Sequence, residues 1–141
     1  MSEVLHFHFD VDGENFTSAG EASVQIKRKL RQLGMDAETI RRVSIAMYEG
    51  EINMVIHAGG GEADVDVSED EITIRLQDHG PGIGDLRLAM QEGYSTAPEN
   101  VRSLGFGAGM GLPNMKRYTD DMTIETALGK GTLVTMKVLL K

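Results

Sequence analysis

Glu49, Asn53 and His57 recur at i, i+4 and i+8, in a stretch whose apolar residues Met47, Met54 and Val55 lie off that line. Helical spacing puts a carboxylate, an amide and an imidazole on one stripe. A carboxylate and an amide one turn apart supply a proton acceptor and an oxygen donor of the kind Mg²⁺ takes while keeping its waters. In an acidic chain such a stripe is more often a solvated face. Gly50 is harder to assign to a solvated face: it costs up to about 1 kcal/mol in a helix interior, so it points to close packing or to a ligand against the backbone.

Two further segments carry few side chains where regular elements end: Asp78-His79-Gly80-Pro81-Gly82-Ile83 and Gly105-Phe106-Gly107-Ala108-Gly109-Met110-Gly111-Leu112. Bare backbone suits closure around a polyanion or a flat ring. Gly80 and Gly82 also fit an ordinary turn, whereas glycine at every second position from 105 to 111 is more than one tight turn requires. The second run opens a helix, so the amides from about Gly109 to Leu112 are expected to be free N-terminal donors, an anion site. Between the two lies a stretch with Pro81, Gly84, Gly93 and Pro98, too long for a simple connection. It predicts a lid over about 83–108 with a short helix near 85–91.

The elements that must hold these residues are legible in the periodicity. Leu5, Phe7, Phe9 and Val11 alternate with polar residues, as do Ala63, Val65 and Val67, then Ile72, Ile74 and Leu76. Met122 and Ile124 start a fourth strand, and Val134, Met136, Val138 and Leu140 make a fifth. Val24, Ile26, Leu30 and Leu33 predict a helix stopped by Gly34. Asp36 predicts the N-cap of a longer helix running through Ile40, Val43, Met47, Met54 and Val55 to Gly59. A short third helix is expected from Leu112 to Tyr118. The order β-α-α-β-β-lid-α-β-β favours one sheet covered on one face by helices, an α+β two-layer sandwich.

Strand parity singles out two polar residues. Asp78 continues the series Ile72, Ile74, Leu76, and Thr132 shares parity with Val134 and Met136, so both side chains are expected on the buried side. An adenine amine and ring would satisfy both. The alternative is an Asx turn at Asp78 and a threonine packed by its methyl.

Composition bounds the remaining choices. The chain has 141 residues, 40% of them hydrophobic, no cysteine and a formal charge of -8. That is one domain's worth of chain, without disulfides or thiolate metal sites. The negative balance, with no basic surface expected, argues against duplex nucleic acid. The polar start and the lack of a long apolar run predict a soluble, cytoplasmic protein with no membrane contact. His6 and His8 face one side of a strand but lack a third ligand, so no metal is expected there.

Glu49-x-x-x-Asn53, Asp78-x-Gly80-x-Gly82, Gly107-x-Gly109-x-Gly111 and Gly131-Thr132 together resemble, in order and spacing, the N, G1, G2 and Gly-Thr boxes of the GHKL ATPase superfamily. Across nearly the whole chain the resemblance is to the anti-sigma factor serine/threonine kinase branch, whereas histidine kinases normally carry a helical hairpin ahead of this fold. It implies the Bergerat fold, with a mixed, mostly antiparallel sheet, over residues 1–141 as a single domain. It implies ATP and Mg²⁺ as cofactors. Asp78, backed by Thr132 through water, would accept from the adenine amine, Gly80 and Gly82 would let the backbone pass the base, and Asn53 would hold Mg²⁺. Glu49 would be the general base. Gly107, Gly109 and Gly111 would wrap the phosphates with the start of the following helix. Ile83, Met110 and Leu112, within or beside those boxes, would join them in binding the nucleotide, Arg102 would reach the γ-phosphate from the lid, and His57 would contact phosphate or end its helix.

The implied function is transfer of the ATP γ-phosphate to a small STAS-like antagonist protein, with a sigma factor as a second partner and homodimerisation left open. The alternatives are a non-catalytic nucleotide-gated binding switch and a stand-alone histidine-kinase-type ATPase domain. Gly50 and Glu51 depart from the small apolar residues expected beside the base, and Glu51 is expected to add a second charge near Mg²⁺.

Overall fold

A computed structural model of the chain describes residues 4–12, 20–80, 111–127 and 129–140. Among the described residues five strands form, β1 (Leu5–Asp12), β2 (Gly60–Val67), β3 (Glu71–Asp78), β4 (Asp121–Ala127) and β5 (Gly131–Leu139). Three helices accompany them there, α1 (Glu21–Gln32), α2 (Ala37–Ala58) and α3 (Gly111–Arg117). The element order is the expected one. The lid at 83–108, its helix near 85–91, and Pro81, Gly82, Ile83, Arg102, Gly107, Gly109 and Met110 lie outside the described residues.

The sheet runs β1-β2-β3-β5-β4, and each neighbouring pair is antiparallel. Where a mixed sheet was expected, the described strands are thus wholly antiparallel. Ile72, Ile74 and Leu76 of β3 and Val134, Met136 and Val138 of β5 are buried with Val43, Met47, Met54 and Val55 of α2 in one core. The helices cover that face, and the other is polar, giving the two-layer α+β sandwich.

Local chemistry explains where α2 begins and ends. Asp36 has extended backbone and its Oδ2 accepts from the Thr39 amide at 3.1 Å, while Gly59 ends the helix at φ 73. A left-handed residue there favours glycine. α1 differs from expectation: Val24 and Leu33 are exposed, and the buried stripe is Ala22, Ile26 and Leu30, with Ser23 beside it. Val24 lies on the opposite side of the helix from that i, i+4 stripe, whereas Leu33 is the C-cap residue just past the end of α1. The solvated side of α1 carries Lys27, Arg28, Lys29 and Arg31, a basic run where none was expected. α3 stops at Arg117, one residue short of the expected Tyr118.

Candidate functional site

The C-terminal end of β3 pairs with both neighbouring strands, Asp78 standing opposite Gly61 of β2 and Thr132 of β5. Asp78 is half-buried, and its Oδ1 accepts from the amides of Gly80 and Thr132, each at 3.1 Å. The Gly80 bond is the Asx turn that sequence left open. The Thr132 bond ties the same oxygen across the sheet, which a solvent-turned aspartate would not do. Among the described residues Asp78 Oδ2 has no hydrogen-bond partner. Thr132 is buried and its Oγ1 lies 2.9 Å from Thr126 Oγ1. Gln77 Nε2 donates to the carbonyls of Asp78 and Thr132 at 2.7 and 3.3 Å. The described residues therefore satisfy the surrounding backbone and leave one carboxylate oxygen for a donor, which fits an adenine amine.

Two glycines press on this strand end. A Cβ on Gly61 would collide with the Gln77 carbonyl oxygen, and one on Gly131, whose φ is +95, would collide with that of Asp78. Neither strand neighbour tolerates a side chain here. Sequence alone does not single out Gly61; its closeness to β3 is a property of the pairing.

α2 reaches the same end of the sheet through Gly50. A Cβ there would collide with Leu76 Cδ1, two residues before Asp78, and lie 3.2 Å from Met115 Cε of α3. Gly50 is thus a close-packing glycine. It seats the helix that carries Glu49 and Asn53 directly on β3 and α3. Glu49 is half-buried, and its Oε1 accepts from Asn114 Nδ2 of α3 at 3.4 Å. Burial pushes its carboxyl up from the usual glutamate range, and the Asn114 donor pulls it back in part. Asn53 is half-buried with no side-chain hydrogen bond among the described residues, which leaves its amide oxygen available to a hard cation. His57 falls on the next turn of α2. Gly111 and Leu112, the latter buried, start α3.

Glu51 corrects an expectation. It is 2% exposed, and its carboxylate accepts from the amides of Gly20, Ala22 and Ser23 at 3.1, 3.2 and 2.6 Å. It caps the N-terminus of α1, satisfying donors that a helix start otherwise leaves orphaned. Two residues along a helix turn a side chain through about 200°, so Glu51 faces α1 while Glu49 faces α3. Asn114 was not singled out from sequence. An asparagine on a short helix after a glycine run carries no signal of its own, and only the docking of α3 on α2 makes it a partner of Glu49.

His6 and His8 lie on the polar face of the sheet as expected. His8 Nδ1 donates to Asp64 Oδ1 at 2.7 Å, and His6 stands between Asp64 and Asp66. The two carboxylates hold the imidazoles by hydrogen bonds, and no metal-binding group forms among the described residues.

The fold and this strand-end site define a class. A family model described as the histidine kinase-like ATPase domain matches residues 15–138. The chain belongs to that family. It is similar to the serine/threonine-protein kinase RsbT of Bacillus subtilis (strain 168), 31% identical over 116 residues, covering 79% of this chain and 81% of that protein. It is also similar to an anti-sigma F factor of Clostridium novyi (strain NT), 32% identical over 126 residues, covering 85% of each. These relatives put it in the anti-sigma kinase branch of the GHKL superfamily. Among solved structures, one of RsbU and RsbW domains from Mycobacterium tuberculosis shares the fold at TM-score 0.64 and 17% identity, over 96% of this chain and 32% of that one. A mycobacterial sensor histidine kinase, MprB, shares it at TM-score 0.55 and 16% identity, over 96% and 97%.

Proposed function

We propose that residues 1–141 form one ATP-binding domain that acts as an anti-sigma-type serine/threonine kinase, transferring the γ-phosphate of ATP to a hydroxyl of a small STAS-like antagonist protein. The observation that carries this reading is convergence: Gly50 seats the helix of Glu49 and Asn53 on Leu76, beside the Asp78–Thr132 pair. Support also comes from relatives that are named as a serine/threonine kinase and as anti-sigma factors.

In this reading Asp78 Oδ2 accepts from the adenine amine and Thr132 backs it. Gly80, with Gly82 and Ile83, lines the base. Asn53 holds Mg²⁺, which offsets phosphate charge when bound. Gly107, Gly109, Met110, Gly111 and Leu112 wrap the phosphates, Arg102 and His57 contact them, and residues 83–108 form the lid. Glu49 is the general base. Its carboxylate takes the partner's hydroxyl proton as that oxygen bonds to the γ-phosphorus, and the bond to the β–γ bridging oxygen breaks, releasing ADP. A sigma factor is the second partner, and the setting is the cytoplasm. No described helix is long and apolar enough to cross a membrane.

The test is phosphate incorporation from labelled ATP into candidate STAS partners. Glu49→Gln is expected to lower transfer by about 10² to 10⁴-fold while leaving ATP affinity within a few-fold, because a base acts in the transition state. If wild type transfers nothing and Glu49→Gln binds partners with the same nucleotide dependence, a nucleotide-gated switch replaces the kinase.

A further inference from the structure

Asn114 makes the one hydrogen bond to the Glu49 side chain that the described residues show, and it is itself held. Its Nδ2 donates to Glu49 Oε1 at 3.4 Å, and Arg117 Nη1 donates to its Oδ1 at 3.3 Å. A carboxamide has one donor end and one acceptor end, and a guanidinium only donates. Arg117 therefore turns the oxygen of Asn114 toward itself, which leaves the NH₂ to face Glu49.

A carboxylate that accepts at one oxygen is restrained at that oxygen, and the other can serve a second donor. Glu49 Oε2 has no hydrogen-bond partner among the described residues. The geometry thus has the form of an oriented base, in which a second group holds the proton acceptor and a third holds the second. The packing underneath keeps the relation in register. Met115, the residue after Asn114, is buried and lies against Gly50, the residue after Glu49. A glycine at 50 lets α3 approach closely enough for a short asparagine to reach the carboxylate.

We infer that Asn114, oriented by Arg117, is a positioning residue for Glu49, anchoring Oε1 so that Oε2 meets the proton to be removed. This rests on the proposed role of Glu49 as base. An amide donor to a carboxylate favours the ionised form, the form a base needs.

The kinetic test uses the full chain with labelled ATP and a STAS partner. Asn114→Ala and Asn114→Asp are expected to lower kcat about 10- to 100-fold, the range of one charge-assisted hydrogen bond, with ATP affinity and KM within about threefold. Asp is isosteric but cannot donate, so it should not rescue. Asn114→Ala should add no further loss in a Glu49→Gln background, because the two act as a unit. Wild-type kcat in both Asn114 variants, or full additivity with Glu49→Gln, overturns the inference.

A second measurement needs no catalysis. In ¹⁵N–¹H spectra of the labelled protein, the side-chain amide pair of Asn114, assigned by its loss in Asn114→Ala, should move in both Glu49→Gln and Arg117→Ala. An amide pair indifferent to both overturns the inference even in an active kinase. A coupled pair in a protein that transfers no phosphate sustains the contact but rejects the kinase reading, and with it the positioning role.

Discussion

Glu49 and Glu51 stand two residues apart on one helix, and burial raises both carboxyls, yet their surroundings have little else in common. Glu51 is almost wholly enclosed and meets three backbone amides, whereas Glu49 is half-open and meets one long side-chain donor. An enclosed carboxylate with its lone pairs used has no capacity left for chemistry. A half-open one with an oxygen unpartnered among the described residues has. The contrast teaches that the departure from the expected N box at Glu51 is structural: it binds α1 to α2 and leaves the other side of α2 to the site.

The comparison is broken most directly by truncating each glutamate. Glu51→Ala should leave the amides of Gly20, Ala22 and Ser23 without their acceptor, and buried donors so stranded cost about 1–3 kcal/mol each. Partial rescue by water leaves an expected loss of about 3 kcal/mol or more, against about 1 kcal/mol or less for Glu49→Ala. Urea denaturation with equal m-values reads the difference. Equal losses in the two variants would end the division of roles.

A smaller effect concerns the cost of keeping Glu49 ionised. Because burial raises its folded pKa above the ordinary 4.5, the folded chain holds a proton at a pH where the unfolded chain has lost it. Stability from this group therefore falls as pH rises from about 4.5 through the folded value. Glu49→Gln lacks the titration, so it should match wild type near pH 4 and become the more stable protein by neutral pH. Melting temperatures across that range check it, and a wild type that gains on the mutant with rising pH contradicts the direction.

The smallest effect lies on the open face of the sheet, where charges stay wet. Asp64 and then Asp10 raise the pKa of His8 above 6.5. A raised histidine stabilises fully below its unfolded pKa and loses that contribution as pH rises through the folded one. The small deficit of His8→Gln should then shrink as pH rises above about 6.5, and fade further in high salt. A deficit constant with pH would remove the ion pair from the account.

Much of the fold was legible because its information is local. Alternation in Leu5 to Val11 or Ile72 to Leu76 marks strands, Asp36 and Gly59 bound α2, and the stripe of Glu49 and Asn53 follows from 3.6 residues per turn. The parity of Asp78 and Thr132 identified two residues that the β3–β5 register then sets opposite one another.

What sequence could not hold is the result of docking one element on another. Nothing local says that Glu51 finds the start of α1, that Asn114 finds Glu49, that Gly61 and Gly131 close on the end of β3, or that Val24 and Leu33 stay in water. Periodicity determines which face of an element is apolar. Only the packed arrangement decides which polar group, two positions away on the same helix, meets a buried amide and which is left half-open, because burial and hydrogen-bond partners belong to pairs of elements.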